Sequence, residues 1–168
     1  MRATYRRERQ AQRLLEDAGI VSYIPMQTVE KVVTGRRRRV EVPAVHNLIF
    51  VRTTRDILRS FKERVPYLQY MMDRSRGEKN VPIVVPDKQM DDFMKVVSLC
   101  GEKVEYLPVG DRKFLEGMRV RVLGGPLDGV EGVLVRSGKS RDRKLVVSLN
   151  GVVSVATASV GVDGLEII

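Results

Sequence analysis

The sequence predicts an α+β fold in two parts. A ferredoxin-like domain with a split βαβ plan is expected over residues 1–99, a linker over 100–112 and a small β-barrel over 113–168. Three observations carry this. Helical apolar stripes alternate with short β-type runs in the first part. The stretch Cys100 to Asp111 has no period of its own. The remainder reads as five short strands in roughly 55 residues, a density that suits a small barrel.

In chain order, Met1 to Tyr5 reads as the end of a strand and Arg6 to Ala18 as a helix. Ala11, Leu14, Leu15 and Ala18 fall at i, i+3, i+4 and i+7, and Gly19 suits the position after a helix end. The opposite face carries Arg6, Gln10 and Arg13 in line, with Arg7 and Arg9 beside them and Glu8 as the one compensating acid. Arginines at a helix start oppose the helix dipole, which favours anions there, so this face points to an external anion.

Val21 to Met26, Val29 to Val33 and Arg39 to Val42 read as strands. The last two flank Thr34-Gly35 and the run Arg36, Arg37, Arg38 and Arg39, which cannot be buried and is expected at an exposed hairpin tip, either as solubilising charge or in contact with phosphate. Asn47 to Thr53 holds the consecutive apolar residues Leu48, Ile49, Phe50 and Val51, as in a strand covered on both faces. Thr54 is placed to cap a helix to about Arg64 with Ile57, Leu58 and Phe61 inward. Tyr67 to Asp73 reads as a strand, Arg74 to Asn80 as a loop, and the prolines of Val81 to Pro86 hold that segment extended. Asp87 is placed to cap a last helix with Met90, Phe93, Met94 and Val97 in one stripe.

In the second part, Phe114 to Arg136 is two strands joined by a glycine-rich turn. Val120 and Val122 alternate with Arg119 and Arg121, then Gly124-Gly125-Pro126 and Asp128-Gly129 reverse the chain. Gly132 inside an apolar run marks a bulge or a close backbone approach, before Val133 and Val135 resume the alternation. Lys144 to Leu149, Val152 to Ala158 and Leu165 to Ile168 supply three more strands. Gly138 to Arg143 is expected as a charged loop and Asn150-Gly151 as a two-residue turn.

The composition bounds the function. Thirty Lys plus Arg against 21 Asp plus Glu give a net charge of +9, which favours a polyanionic partner. One cysteine excludes an internal disulfide and a zinc framework. No apolar run reaches about eighteen residues, and no signal peptide is seen, so a cytoplasmic chain without membrane contact is expected. His46 and Cys100 lie far apart without an identifiable partner. Asp91-Asp92 is explained by the helix dipole, and Gly124-Gly125-Pro126 lacks the Lys-Ser/Thr of a phosphate loop. No enzyme, metal site or cofactor is expected.

Gly117, Val120 and Val122, followed by Gly125, Pro126, Gly129 and Gly132, resemble the KOW motif of NusG-type transcription factors and several ribosomal proteins. That motif forms the first half of a small SH3-like barrel. Tyr23-Ile24-Pro25-Met26, Pro43 with Asn47 to Val51, and Val81-Pro82-Ile83-Val84 resemble the NGN domain that precedes the KOW domain in that family. The basic first helix and the ending VVSVATASVGVDGLEII resemble the specialised UpxY-type antiterminators of polysaccharide operons. Two departures stand out. The chain starts inside the strand that opens the family with a Trp-Tyr pair, and Val45-His46-Asn47 stands where the family commonly has Phe-Pro-Gly.

The resemblance implies a factor that binds the clamp helices of RNA polymerase and suppresses pausing or termination on a restricted set of operons. The matching polymerase-contact positions are Leu48 and Phe50, with Tyr70 on the neighbouring strand. Positions matching the nucleic-acid contacts of specialised relatives are Arg6, Arg7, Gln10 and Arg13, which would touch non-template DNA or nascent leader RNA. The KOW domain would recruit a ribosomal protein or a termination factor, and a monomer is expected. Two other readings stay open: a general housekeeping NusG, and a ribosome-associated RNA-binding protein that uses the KOW barrel.

Overall fold

The computed structural model describes residues 1–73, 81–107, 117–136, 143–149, 151–157 and 164–168. The loops expected over 74–80 and 138–142, Asn150 of the expected turn, and the parts of the linker and tail over 108–116 and 158–163 lie outside them. The chain divides into two compact units, Met1–Ile83 and Val84–Ile168.

In the first unit, strand β1 (Arg2–Ala3) leads through a short helical turn into helix α1 (Glu8–Asp17). Strands β2 (Val21–Tyr23), β3 (Met26–Val33), β4 (Arg36–Pro43) and β5 (Phe50–Arg52) follow. Helix α2 (Arg55–Arg64), β6 (Leu68–Gln69), β7 (Met72–Asp73) and β8 (Val81–Pro82) complete it. The strands pair antiparallel as β1 with β6, β2 with β5, β3 with β4 and β7 with β8. Ala3, Ala11, Leu15, Ile20, Ile24, Ile49, Phe61, Val65 and Leu68 form the apolar core.

Several expectations shift here. The first helix begins at Glu8, with Arg7 as its cap residue, so Arg6 is not on it. Tyr5 and Arg6 sit at φ 60° and 56° in the preceding turn, a conformation that L-residues seldom adopt. The buried face of α1 is Glu8, Ala11 and Leu15; Leu14 and Ala18 face outward. Ile57 of α2 is also exposed, leaving Phe61 as that helix's buried anchor. The expected strand 67–73 is broken into β6 and β7.

In the second unit, helix α3 (Asp87–Cys100) packs on a six-stranded antiparallel sheet. Its strands are β9 (Glu105–Leu107), β10 (Met118–Val122), β11 (Glu131–Arg136), β12 (Arg143–Leu149), β13 (Val153–Ala156) and β14 (Leu165–Ile167). Their order is β14-β10-β11-β12-β13-β9. The helix touches β12 and β13, and its buried residues are Asp92, Phe93 and Val96 rather than the stripe through Met90 and Val97. The compact units therefore part between Ile83 and Val84, not after residue 99. The stretch expected as a linker contributes β9, which pairs Tyr106 with Val155.

Two glycines set the spacing of this sheet. A Cβ on Gly117 would lie 2.5 Å from the Leu134 carbonyl oxygen, and one on Gly132 2.6 Å from that of Val146. No side chain fits at such separations, which explains glycine at both places.

Candidate nucleic-acid interface

The basic residues expected to meet nucleic acid lie in the first unit, on two elements. Around the start of α1, the Arg6 N–H donates to Asn47 Oδ1 at 2.8 Å, and Asn47 is itself at φ 64°. This bond fixes the turn that leaves Tyr5 83% exposed. The Arg7 guanidinium lies over two rings, 5.6 Å from the centre of Tyr5 and 5.0 Å from that of Tyr67. Cation–π stacking of this kind holds the guanidinium plane in place. Burial pushes the Tyr67 phenol above its ordinary range, while the Arg7 charge pulls the other way. Arg6, Arg7, Gln10 and Arg13 are all exposed, but they do not form one helical line, because Arg6 and Arg7 precede the helix.

Sequence reasoning missed Tyr5, Asn47 and Tyr67 here. It also took Glu8 as an exposed counter-charge. Glu8 is 2% exposed, and His46, expected without a partner, has its Nδ1 3.9 Å from Glu8 Oε1. An acid beside several arginines reads as surface in a sequence; its inward angle on the helix, three residues before Ala11, was the available signal.

The second basic element is the β3–β4 ribbon. Its register runs from Met26 opposite Pro43 to Val33 opposite Arg36. The tip is Thr34-Gly35, at φ 50° and 77°, as a tight turn between twisted strands requires. Arg36, Arg37, Arg38 and Arg39 are therefore not the tip but the first half of β4, and all four are exposed. Arg9 Nη2 donates to the Glu41 carbonyl at 2.8 Å, tying α1 to the base of the ribbon.

Of the expected polymerase-contact residues, Leu48 is 3% and Phe50 9% exposed, and the Phe50 ring lies 6.4 Å from that of Tyr23. A contact through either side chain needs this region to open. Tyr70 is half-buried, with Lys62 Nζ 4.5 Å from its ring centre. It helps line a groove of about 660 Å³ of mixed charge, with Arg55, Asp56, Arg59, Lys62, Glu63 and Pro82.

The motif residues of the second unit have structural duties. Val120 and Val122 are buried. Gly125 and Gly129 take positive φ in the turn, where the Gly124 N–H donates to Asp128 Oδ1 at 2.6 Å and the Gly129 N–H to the Val122 carbonyl at 2.8 Å. Pro126 is exposed in the same turn. Among the described residues, no group of three His, Cys, Asp or Glu side chains is placed to hold a metal ion, and no helix is long and apolar enough to cross a membrane.

The fold and its surface define a basic α+β protein with two compact units and an exposed arginine-rich ribbon. The family model described as transcription termination factor nusG matches residues 1–94, and the chain belongs to the NusG family. No curated protein matches the chain. Family membership points to a factor acting in transcription elongation or antitermination.

Proposed function

We propose that this chain binds elongating RNA polymerase and suppresses pausing or termination on specific operons, such as those of polysaccharide biosynthesis. The observation that carries the reading is the family match over residues 1–94, the same stretch that holds every exposed arginine of α1, its preceding turn and the ribbon. In this reading the first unit is an NGN-type, ferredoxin-like module and the six-stranded sheet is an SH3-like KOW module.

The mechanism is bridging rather than catalysis. The first unit holds polymerase, through the region of Leu48 and Phe50 on opening or through the Tyr70 groove. Arg6, Arg7, Gln10 and Arg13 hold non-template DNA or leader RNA. Guanidinium groups suit phosphate and guanine edges, and the Gln10 amide suits adenine. The second unit is free to recruit a ribosomal protein or a termination factor.

The test is single-round transcription by the cognate polymerase on a leader with a strong pause, with and without the full chain. Shorter pause lifetimes and co-purification of the chain with the elongation complex are expected. Failure of the chain to associate with polymerase, together with tight binding to ribosomal RNA, would replace this reading by the ribosome-associated one.

A further inference from the structure

We infer that the β3–β4 ribbon is a one-sided reader of duplex DNA, which contacts the duplex through the face that carries Lys31, Arg36 and Arg38. The inference deepens the nucleic-acid part of the proposed function and rests on it.

Directly opposed residues of an antiparallel pair project to the same side, and side chains alternate along each strand. The register therefore sorts the ribbon into two faces. Lys31 stands opposite Arg38, and Val33 opposite Arg36, with Val29 and Val40 next in line. On the other face Glu30 stands opposite Arg39, Thr28 opposite Glu41, and Val32 opposite Arg37. The first face holds three cations and no carboxylate. The second holds two cations and two carboxylates, and Glu30 directly faces one of its arginines. The four consecutive arginines look uniform in the sequence, but the pleat divides them into an uncompensated pair and a compensated pair.

The shape favours a duplex. Arg36 and Arg38 are two residues apart on a paired strand, about 6.6 Å. Lys31 lies across the ladder from Arg38, about 5 Å away at Cα. A two-stranded ribbon is narrow enough to enter the B-DNA major groove, about 12 Å wide, where strands are known to enter. The tip residues Thr34 and Gly35 are small enough to lead it in. Base-stacking on a single strand would want aromatic side chains, and the ribbon from Met26 to Pro43 has none.

Two double variants with equal loss of charge test this: Arg36→Ala with Arg38→Ala, and Arg37→Ala with Arg39→Ala. The full chain is titrated onto a labelled 30-base-pair duplex, and onto one of its single strands, across a salt series. If both side chains of the first pair meet phosphate, that variant flattens the log affinity against log salt slope on duplex by about 1.8. The second variant changes it by less than about 0.5, the remainder of a long-range charge effect. The pair Arg36→Lys with Arg38→Lys keeps the slope, and unchanged melting temperatures show that all variants fold.

Equal flattening by both double variants would overturn the inference in favour of net charge alone. An unchanged slope in both would remove the ribbon from DNA binding. A larger effect on the single strand than on the duplex would overturn the duplex assignment. No polymerase is needed for the DNA titration, so its failure is separable from failure of the proposed function.

Discussion

Asp92 Oδ2 accepts the backbone N–H of Glu131 at 3.1 Å, joining the second turn of α3 to the first residue of β11. The same carboxylate takes Lys88 Nζ at 2.6 Å through Oδ1, and Lys88 also donates to the Gly129 carbonyl at 2.8 Å. Lys95 Nζ reaches the Asp128 carbonyl at 2.7 Å. One helix face thus holds the glycine turn and the strand that follows it. Asp92→Ala removes the acceptor of a part-buried N–H, while the half-exposed Lys88 ammonium turns to water, and is expected to cost about 1 kcal/mol. Asp92→Asn keeps an acceptor and should cost less. Urea unfolding of the full chain measures both; an unperturbed alanine variant would show that water replaces the carboxylate.

The packing of α3 predicts where the chain can be divided. A fragment beginning at Val84 keeps Phe93 and Val96, both fully buried, in its core. A fragment beginning at Gly101 loses them, and burial of that size is worth at least about 3–5 kcal/mol. The longer fragment should give a cooperative melt and the shorter one should not. A cooperative melt of the shorter fragment at similar temperature would show that α3 is dispensable.

Gly132 and Gly125 should respond differently to alanine, because they are glycine for different reasons. At Gly132 the methyl meets the Val146 carbonyl in the middle of the sheet. Relieving such a clash by backbone shifts costs about 1–3 kcal/mol. At Gly125 there is open space but φ is 69°, and the left-handed conformation costs about 1–2 kcal/mol. Gly132→Ala should therefore perturb amide chemical shifts across β11 and β12, whereas Gly125→Ala lowers stability with changes confined to the turn.

Phe50→Ala is expected to lower stability by about 3–5 kcal/mol, since its ring is buried beside Tyr23. A polymerase-binding assay run beside the melt distinguishes its two roles. Weak binding with an unchanged melt would make Phe50 a contact residue reached by opening; a large drop in the melt makes it core.

The Arg121 guanidinium donates to Glu131 Oε1 at 2.9 Å and to Glu166 Oε2 at 3.1 Å, clasping β10 to its two neighbours. Hydrogen bonding from Arg121 holds the Glu131 carboxyl below its ordinary range. A lowered folded value means that the folded chain binds this proton less readily than the unfolded chain. Its stabilisation is present above the ordinary carboxylate pKa, near 4.3, and is lost as pH falls through the lowered value. Between pH ~6 and ~3 the native chain should lose more stability than Glu131→Gln. The effect is small, because the pair is partly exposed and solvent screens it. Parallel acid titrations of the two chains would refute the clasp.

Legibility in the sequence followed the length of the signal. The ten-residue α2 began after Thr54, although the Thr54 side chain makes no capping hydrogen bond, and the glycine turn fell where Gly125 and Gly129 placed it, because turn chemistry is local. The exposure of Arg36 to Arg39 was equally plain, since four adjacent charges leave no alternative. The inward side of a helix was harder to read. On α1 two adjacent stripes compete, and neighbours across the fold favoured Glu8, Ala11 and Leu15 over Leu14 and Ala18. A three-residue strand such as β9 is too short to show a period. The left-handed turn at Tyr5 and Arg6 has no glycine to announce it, and depends on Asn47, 41 residues beyond Arg6. Asp92 was read as a dipole anion, because nothing local records that Glu131 comes to meet it.

The position of α3 bears on how such chains can be recombined. The family model matches as far as residue 94, in the middle of a helix that ends at Cys100 and is folded with the sheet. A hybrid spliced at the end of that match would take Asp92 and Phe93 from one parent and Val96 from the other, so the helix would arrive at the sheet with mismatched anchors. A splice between Ile83 and Val84 delivers helix, glycine turn and sheet as one inheritance, and leaves the arginine ribbon wholly with the other parent.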